Sequence, residues 1–207
     1  NSFDGSRIVS EEIISLINQR SKTGKIVVLG LATGSTPVKV YQLLIEAYKQ
    51  RRVSFLNVHT FNLDEYYPMN PTSIHSYVEF MNKNFFDHID IPSENIHIPD
   101  GSVSNLDIDA YCHNYDISID KLGGIDIQIL GIGRTGHIGF NEPTSELESK
   151  TRLVWLDPIT RKDAASSFFG EEFVPKQAIT MGINSIMKAK RIFLLSWGEG
   201  KSHIINQ

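Results

Sequence analysis

Apolar residues fall along this chain in two kinds of run. At Ile8, Val9, Ile13, Ile14 and Ile17 they recur at helical spacing, which predicts a helix over 7–20 with one buried face. The run Lys25-Ile-Val-Val-Leu-Gly30 is instead continuous, as in a strand covered on both sides. The two patterns then alternate. After a loop at 31–36, Pro37 opens a helix to about Arg51, with Thr36 as its cap and Val40, Leu43, Leu44 and Ala47 inward. A strand at 58–63 ends in Asp64-Glu65-Tyr66, read as a turn. Helices at 73–86 and 107–122 flank a loop at 87–103 marked by Pro92, Pro99 and Gly101. Strands follow at 125–130, 152–155, 178–181 and 191–196, with helical segments at 160–168, 183–187 and from Glu199 onward.

Alternating strands and helices predict a single-domain α/β fold over 1–207, with a mostly parallel, Rossmann-like sheet and helices on both faces. Four strand ends carry small or polar residues, at 31–36, 64–66, 131–142 and 196–201. In such a sheet they converge on one rim, where ligands bind. The chain begins at Asn1 and stops inside the last helix, so it reads as cut at both ends.

Composition narrows the partners. The formal net charge is −4 and the basic residues are scattered, which argues against a nucleic-acid surface. No apolar run approaches a membrane span and no signal peptide is visible. The one cysteine, Cys112, has no partner for an internal disulfide, which suits the cytoplasm. Beside His113 it has the elements of a metal site, but with no second cluster at ligand spacing it reads as a buried structural thiol.

The candidate chemistry is densest at Gly131-Ile-Gly-Arg-Thr-Gly-His-Ile-Gly-Phe-Asn-Glu-Pro143. Gly131, Gly133 and Gly136 match a dinucleotide fingerprint, and Asp157 lies about 20 residues further on, where an acidic ribose ligand is expected. That motif must open a helix, and Gly139 and Pro143 oppose one here. What remains is an imidazole, His137, on a flexible loop with a carboxylate, Glu142, in reach: a proton-transfer pair. Thr33-Gly34-Ser35-Thr36 precedes a helix and can hold a phosphate through backbone N–H groups and hydroxyls, although an ordinary capped turn looks the same. It lacks the lysine of a Walker loop. Lys201 starts the last helix on the same rim and offers a cation, or is a solvated surface lysine. Asp64 at its strand end is a candidate general base, with Glu65 to position it or pair with a cation; ordinary turn chemistry is the alternative.

Three spaced motifs in order carry a family resemblance: Leu-Ala-Thr-Gly-Ser-Thr-Pro at 31–37, Phe-Asn-Leu-Asp-Glu-Tyr at 61–66 and Gly-His-Ile-Gly-Phe-Asn-Glu-Pro at 136–143. With the stretches at 84–92 and 174–182, they make the chain resemble the glucosamine-6-phosphate deaminase (isomerase) family from about residue 8 to the end. The resemblance implies conversion of glucosamine 6-phosphate and water to fructose 6-phosphate and ammonia, without metal or organic cofactor. It implies that Asp64 moves the proton from C2 toward C1. His137 opens the sugar ring, tuned by Glu142, and Gly34, Ser35, Thr36 and Lys201 hold the phosphate. The implied partner is a small amino-sugar phosphate, and a homo-oligomer is allowed.

The chain departs from that pattern. Thr135 stands where members usually carry Asp, so Glu142 is expected to tune His137 alone, with a lower imidazole pKa. Ser167 stands where many carry a phosphate-binding Arg, for which Arg161 is the candidate substitute. Arg152 matches an effector contact of some members, leaving allostery open. Two other functions compete: a 6-phosphogluconolactonase-like hydrolase, which shares the fold, and a non-catalytic sugar-phosphate sensor. Phe140-Asn-Glu-Pro143 weighs against the first; intact Asp64, His137 and Glu142 weigh against the second.

Overall fold

The computed structural model describes residues 1–206. Its helices and strands follow in the order α1 (Ser2–Ser21), β1 (Val27–Leu31), α2 (Val38–Lys49), β2 (Val58–Asn62), β3 (Asp64–Tyr67), α3 (Tyr77–Asn84), β4 (Ile96–His97), α4 (Ile108–Lys121), β5 (Ile127–Gly131), β6 (Arg152–Trp155), α5 (Pro158–Ala164), β7 (Gln177–Thr180), α6 (Ile183–Met187), β8 (Ile192–Leu195) and α7 (Ser202–Ile205). The predicted α/β architecture is present, with five parallel strands in the order β4-β2-β1-β5-β8. All five residues of β1, Val-Val-Leu-Gly-Leu, are buried, as a central parallel strand requires.

Helices cover both faces. On one, Val9, Ile13 and Ile17 of α1 and Val40 and Leu44 of α2 pack on Val27, Leu29 and Leu31. On the other, Tyr115 and Ile119 of α4 pack on Val28, Phe61 and Leu130. Burying an aliphatic side chain in this way stabilises by about 1.5–3 kcal/mol. α1 starts five residues earlier than its apolar spacing predicts, because the Asn1 side chain accepts from the Asp4 N–H at 3.0 Å and caps it.

A second sheet departs from the sequence reading. The residues read as a turn, Asp64-Glu65-Tyr66, are the strand β3. It pairs antiparallel with β7, which pairs antiparallel with β6. The strands at 152–155 and 177–180 therefore belong to this small sheet, not to the parallel one. Tyr66, Phe140, Phe168, Val174 and Ala178 form a core of its own beneath it. Leu63 joins the two sheets: its N–H donates to Leu31 O of β1 at 3.0 Å, and its carbonyl accepts from Met181 N, just past β7, at 2.7 Å.

Four smaller corrections matter for the site. The 87–103 loop contains β4, whose two residues are too few to show a period; it pairs with β2 at Thr60 and Phe61. α5 begins at Pro158, before the predicted Thr160, because the Asp157 side chain accepts from Ile159 N at 2.7 Å. α2 has Pro37, not Thr36, at its N-cap, and no side chain caps it. The helix predicted from Glu199 is a short 3-10 turn, Glu199–Lys201, followed by α7. Gln207 lies outside the described residues.

Candidate active site

The carboxyl ends of β1 and β5 meet where the strand order reverses, since β2 lies on one side of β1 and β5 on the other. There the loops at 32–36 and 131–140 enclose a cavity of about 400 Å³, closed from above by Leu63, Asp64, Tyr66, Tyr77 and α5. Gly34, Ser35, Thr36, Asp64, His137 and Lys201 all line it.

One end of the cavity is built on a fixed loop with an open crest. Below it the Tyr41 hydroxyl donates to Ala32 O at 2.6 Å and accepts from Ala32 N at 3.2 Å. From the side, Trp197 Nε1 donates to Thr36 O at 3.1 Å. Gly34 and Ser35 above are exposed. The first N–H groups of α2 follow without a side-chain cap, the polarity that suits an anion. Lys201 crosses from beyond β8, and its ammonium donates to Ile132 O at 2.8 Å.

The reacting end is enclosed. Asp64 is only 6% exposed, and burial pushes its carboxyl up to about 7. Gly139, at φ +60°, lets the loop pass over it: a Cβ there would lie 3.2 Å from Asp64 Oδ2. Glu65 points to the opposite side, as strand alternation demands. It neither positions Asp64 nor pairs with a cation: Oε1 accepts from Tyr66 N at 2.8 Å and Oε2 from Tyr77 N, the first residue of α3, at 2.7 Å. Burial outweighs these donors and raises the Glu65 carboxyl to about 8.

His137 sits against Gly133, where a Cβ would fall 2.0 Å from Nε2, so no other residue leaves room for the ring. Thr135 Oγ1 lies 2.9 Å from His137 Nδ1 and donates to Glu142 Oε2 at 2.7 Å. The expectation that Glu142 acts on the ring alone is therefore corrected: its Oε1 is 3.4 Å from Nδ1, and the Thr135 hydroxyl bridges Oε2 and the ring. A second one, Thr160 on α5, donates to Glu142 Oε1 at 3.2 Å. Burial lowers the imidazole pKa, with Glu142 opposing and Lys201 reinforcing the shift.

The loop carrying His137 and Glu142 is not a helix. Ile138 and Asn141 pair across it, and Asn141 Nδ2 donates to Ile138 O and Met181 O. With Asp157 serving as the cap of α5, no dinucleotide fingerprint remains. Arg152 Nη1 donates to Asn141 Oδ1 at 2.8 Å, so it props this loop. Arg161 does not replace a phosphate-binding arginine: its Nη2 donates to the carbonyls of Glu171 and Val174. Ser167 is exposed and outside the cavity lining. Instead the cavity carries Arg134, bound to Asp163 of α5 at 2.7 Å. Sequence reasoning missed Arg134, Asp163 and Thr160, although Arg134 stands inside the glycine run; Tyr66 and Tyr77 were missed as lining residues too. Cys112 is buried beside Tyr67, Ile108 and Ile179. Among the described residues, no group of His, Cys, Asp and Glu is arranged to hold a metal ion.

A family model described as glucosamine-6-phosphate isomerases/6-phosphogluconolactonase matches residues 5–207. A glucosamine-6-phosphate deaminase from Clostridium tetani is 52% identical over 197 residues, which cover 95% of this chain and 79% of that protein. The solved structure of a monomeric glucosamine-6-phosphate deaminase is 40% identical, with a TM-score of 0.93 over 100% of this chain and 83% of that one. A 6-phosphogluconolactonase from Thermotoga maritima is 24% identical, with a TM-score of 0.70 over 97% and 84% of the two chains, a likeness of fold.

Proposed function

The chain belongs to the family of glucosamine-6-phosphate isomerases and 6-phosphogluconolactonases, and from that premise we propose how its rim works as an active site. The activity is that of its deaminase relatives: glucosamine 6-phosphate and water become fructose 6-phosphate and ammonia. One observation carries the assignment of residues. A buried carboxylate, an imidazole and an anion-holding loop with a lysine face one cavity, from four separate strand ends.

The phosphate docks on Gly34, Ser35 and Thr36, the uncapped start of α2 and Lys201. Its binding energy orients the sugar at the far end. His137 Nε2 takes the proton of the anomeric hydroxyl and returns it at the ring oxygen, which opens the ring. Asp64 then takes the C2 proton and delivers it to C1. With a carboxyl pKa near 7, Asp64 is a stronger base than an exposed aspartate and is still substantially ionised at neutral pH. The C2 imine left by this transfer adds water and releases ammonia. Among the described residues this scheme uses no metal.

The alternative hydrolase reading shares the family model but is otherwise supported by a likeness of fold at 24% identity, and a sensor has no use for Asp64 and His137 facing one cavity. No helix among the described residues is long and apolar enough to cross a membrane. The unpaired, buried Cys112 supports a cytoplasmic setting. The test is direct: ammonia and fructose 6-phosphate released in equal amounts from glucosamine 6-phosphate. Hydrolysis of 6-phosphogluconolactone without ammonia release from the amino sugar would reverse the assignment.

A further inference from the structure

We propose that Thr160 is a positioning residue of the proton-transfer centre. With Thr135 it clamps the Glu142 carboxylate, so that His137 keeps its proton on Nδ1 and turns an unprotonated Nε2 to the cavity. The inference rests on the function proposed above and adds a residue that no sequence motif marked.

Hydrogen counting carries the argument. An ionised carboxylate only accepts, and each threonine hydroxyl has one hydrogen. Thr135 gives its hydrogen to Glu142 Oε2 at 2.7 Å, so its lone pair faces His137 Nδ1 at 2.9 Å. Nδ1 must therefore be the donor. Thr160 gives its hydrogen to Glu142 Oε1 at 3.2 Å and stays at 3.5 Å from Nδ1, so its stronger contact is with the carboxylate. Both carboxylate oxygens are then held by hydroxyls, one from the loop after β5 and one from α5.

Thr160 comes from a different part of the fold than its partners. It is the third residue of α5, 18 positions from Glu142, and only 7% exposed. A buried hydroxyl needs a partner, and Glu142 is the nearer of the two it has. Removing the hydroxyl frees Oε1, which lies 3.4 Å from Nδ1. The carboxylate then turns to accept directly from the ring, and a direct ionic hydrogen bond favours the charged imidazole. The clamp thus holds Oε1 at 3.4 Å from Nδ1, beyond the distance of a strong direct hydrogen bond. The other charges acting on the ring are Lys201, Asp163 of α5 and Asp157 at the cap of α5.

The test compares histidine ¹⁵N spectra of the ligand-free chain across pH for the wild type, Thr160→Val and Thr160→Ser. In the wild type, neutral His137 is expected as the Nδ1–H tautomer. Thr160→Val should raise its titration midpoint by about one pH unit. It should also lower kcat on glucosamine 6-phosphate at pH 7 by about tenfold with KM nearly unchanged, and Thr160→Ser should restore both. Should the valine variant fail to fold, Thr160→Ala gives the same comparison. A variant without the hydroxyl that titrates like the wild type, or a serine that behaves like valine, overturns the proposal. The spectra need no substrate, so a wild-type chain inert toward glucosamine 6-phosphate would reject the function and still leave the clamp decided.

Discussion

The two ends of the cavity are built on opposite terms. At the anchor, the loop is pinned from below by Tyr41 and Trp197 while its ligand-facing crest, Gly34 and Ser35, stays exposed. At the reacting end, Asp64 is buried, His137 is pressed on Gly133, and both oxygens of Glu142 are engaged. On the proposed function the anchor meets a strongly hydrated anion, and exposed donors do that with little reorganisation. The reacting end must hold proton affinities away from their values in water, which takes enclosure. The molecule keeps these demands apart by drawing the anchor from the parallel sheet and much of the enclosure from the antiparallel one.

Substitutions that act on one end only would break this contrast if it were false. The largest effect belongs to Asp64→Asn, which keeps the shape and removes the proton acceptor. Turnover should fall about 10²–10⁴-fold while substrate affinity, measured by calorimetry, stays close to that of the wild type. Near-normal turnover would remove Asp64 from the mechanism. Next comes Lys201→Ala, expected to weaken binding of glucosamine 6-phosphate by about 10–100-fold, the loss of one charge-assisted hydrogen bond, with binding of unphosphorylated glucosamine unaffected. Equal affinity of the wild type for the two sugars would mean that the loop is not the anchor.

Enclosure also has a cost in stability, and its sign can be worked out. The Glu65 carboxyl is raised in the fold to about 8, so its contribution is fully present below the pKa of the unfolded chain and is lost as pH rises through about 8. Glu65→Gln removes this liability. Chemical denaturation should show the variant gaining on the wild type between about pH 5 and 9, by a few kcal/mol at most. A constant difference across that range would mean that Glu65 is ionised throughout. The smallest effect expected is that of Thr135→Asp. Burial raises the Asp64 carboxyl and lowers the His137 imidazole, so on the proposed mechanism both are expected to shape the acidic limb of the rate profile. A carboxylate at 135 raises the imidazole toward Asp64, so the limb should steepen as two protons come to titrate together. An unchanged limb would show that the hydroxyl and the carboxylate serve His137 equally.

What could be read in the sequence follows the same division. Val27–Leu31 and Ile127–Leu130 announce themselves as central strands by continuous apolar runs, and glycine with hydroxyls after a strand marks the anchor. The small sheet was hidden because β3 is Asp-Glu-Tyr-Tyr, whose polar start reads as a turn. Its burial comes from β7 and α3, distant in the chain. Thr160 gives no local signal at all: one hydroxyl in an ordinary helix start acquires its role only when α5 folds against the 137–142 loop. Arg134 was visible as a residue, but its pairing with Asp163 is a tertiary fact.

Leu63 gives the chain a reading frame. One residue carries a backbone bond to each sheet, and the strand that follows alternates strictly between the cavity and the interior. A single-residue insertion or deletion there would leave both sheets intact as patterns. A deletion would, however, put Glu65 at the cavity-facing position of Asp64, and Tyr66 where Glu65 meets the start of α3. The longer carboxylate would then stand too far into the space meant for the sugar, and the helix would lose its two-oxygen clasp. Which acid faces the cavity is therefore written less in the residues themselves than in the parity of the chain between two fixed bonds.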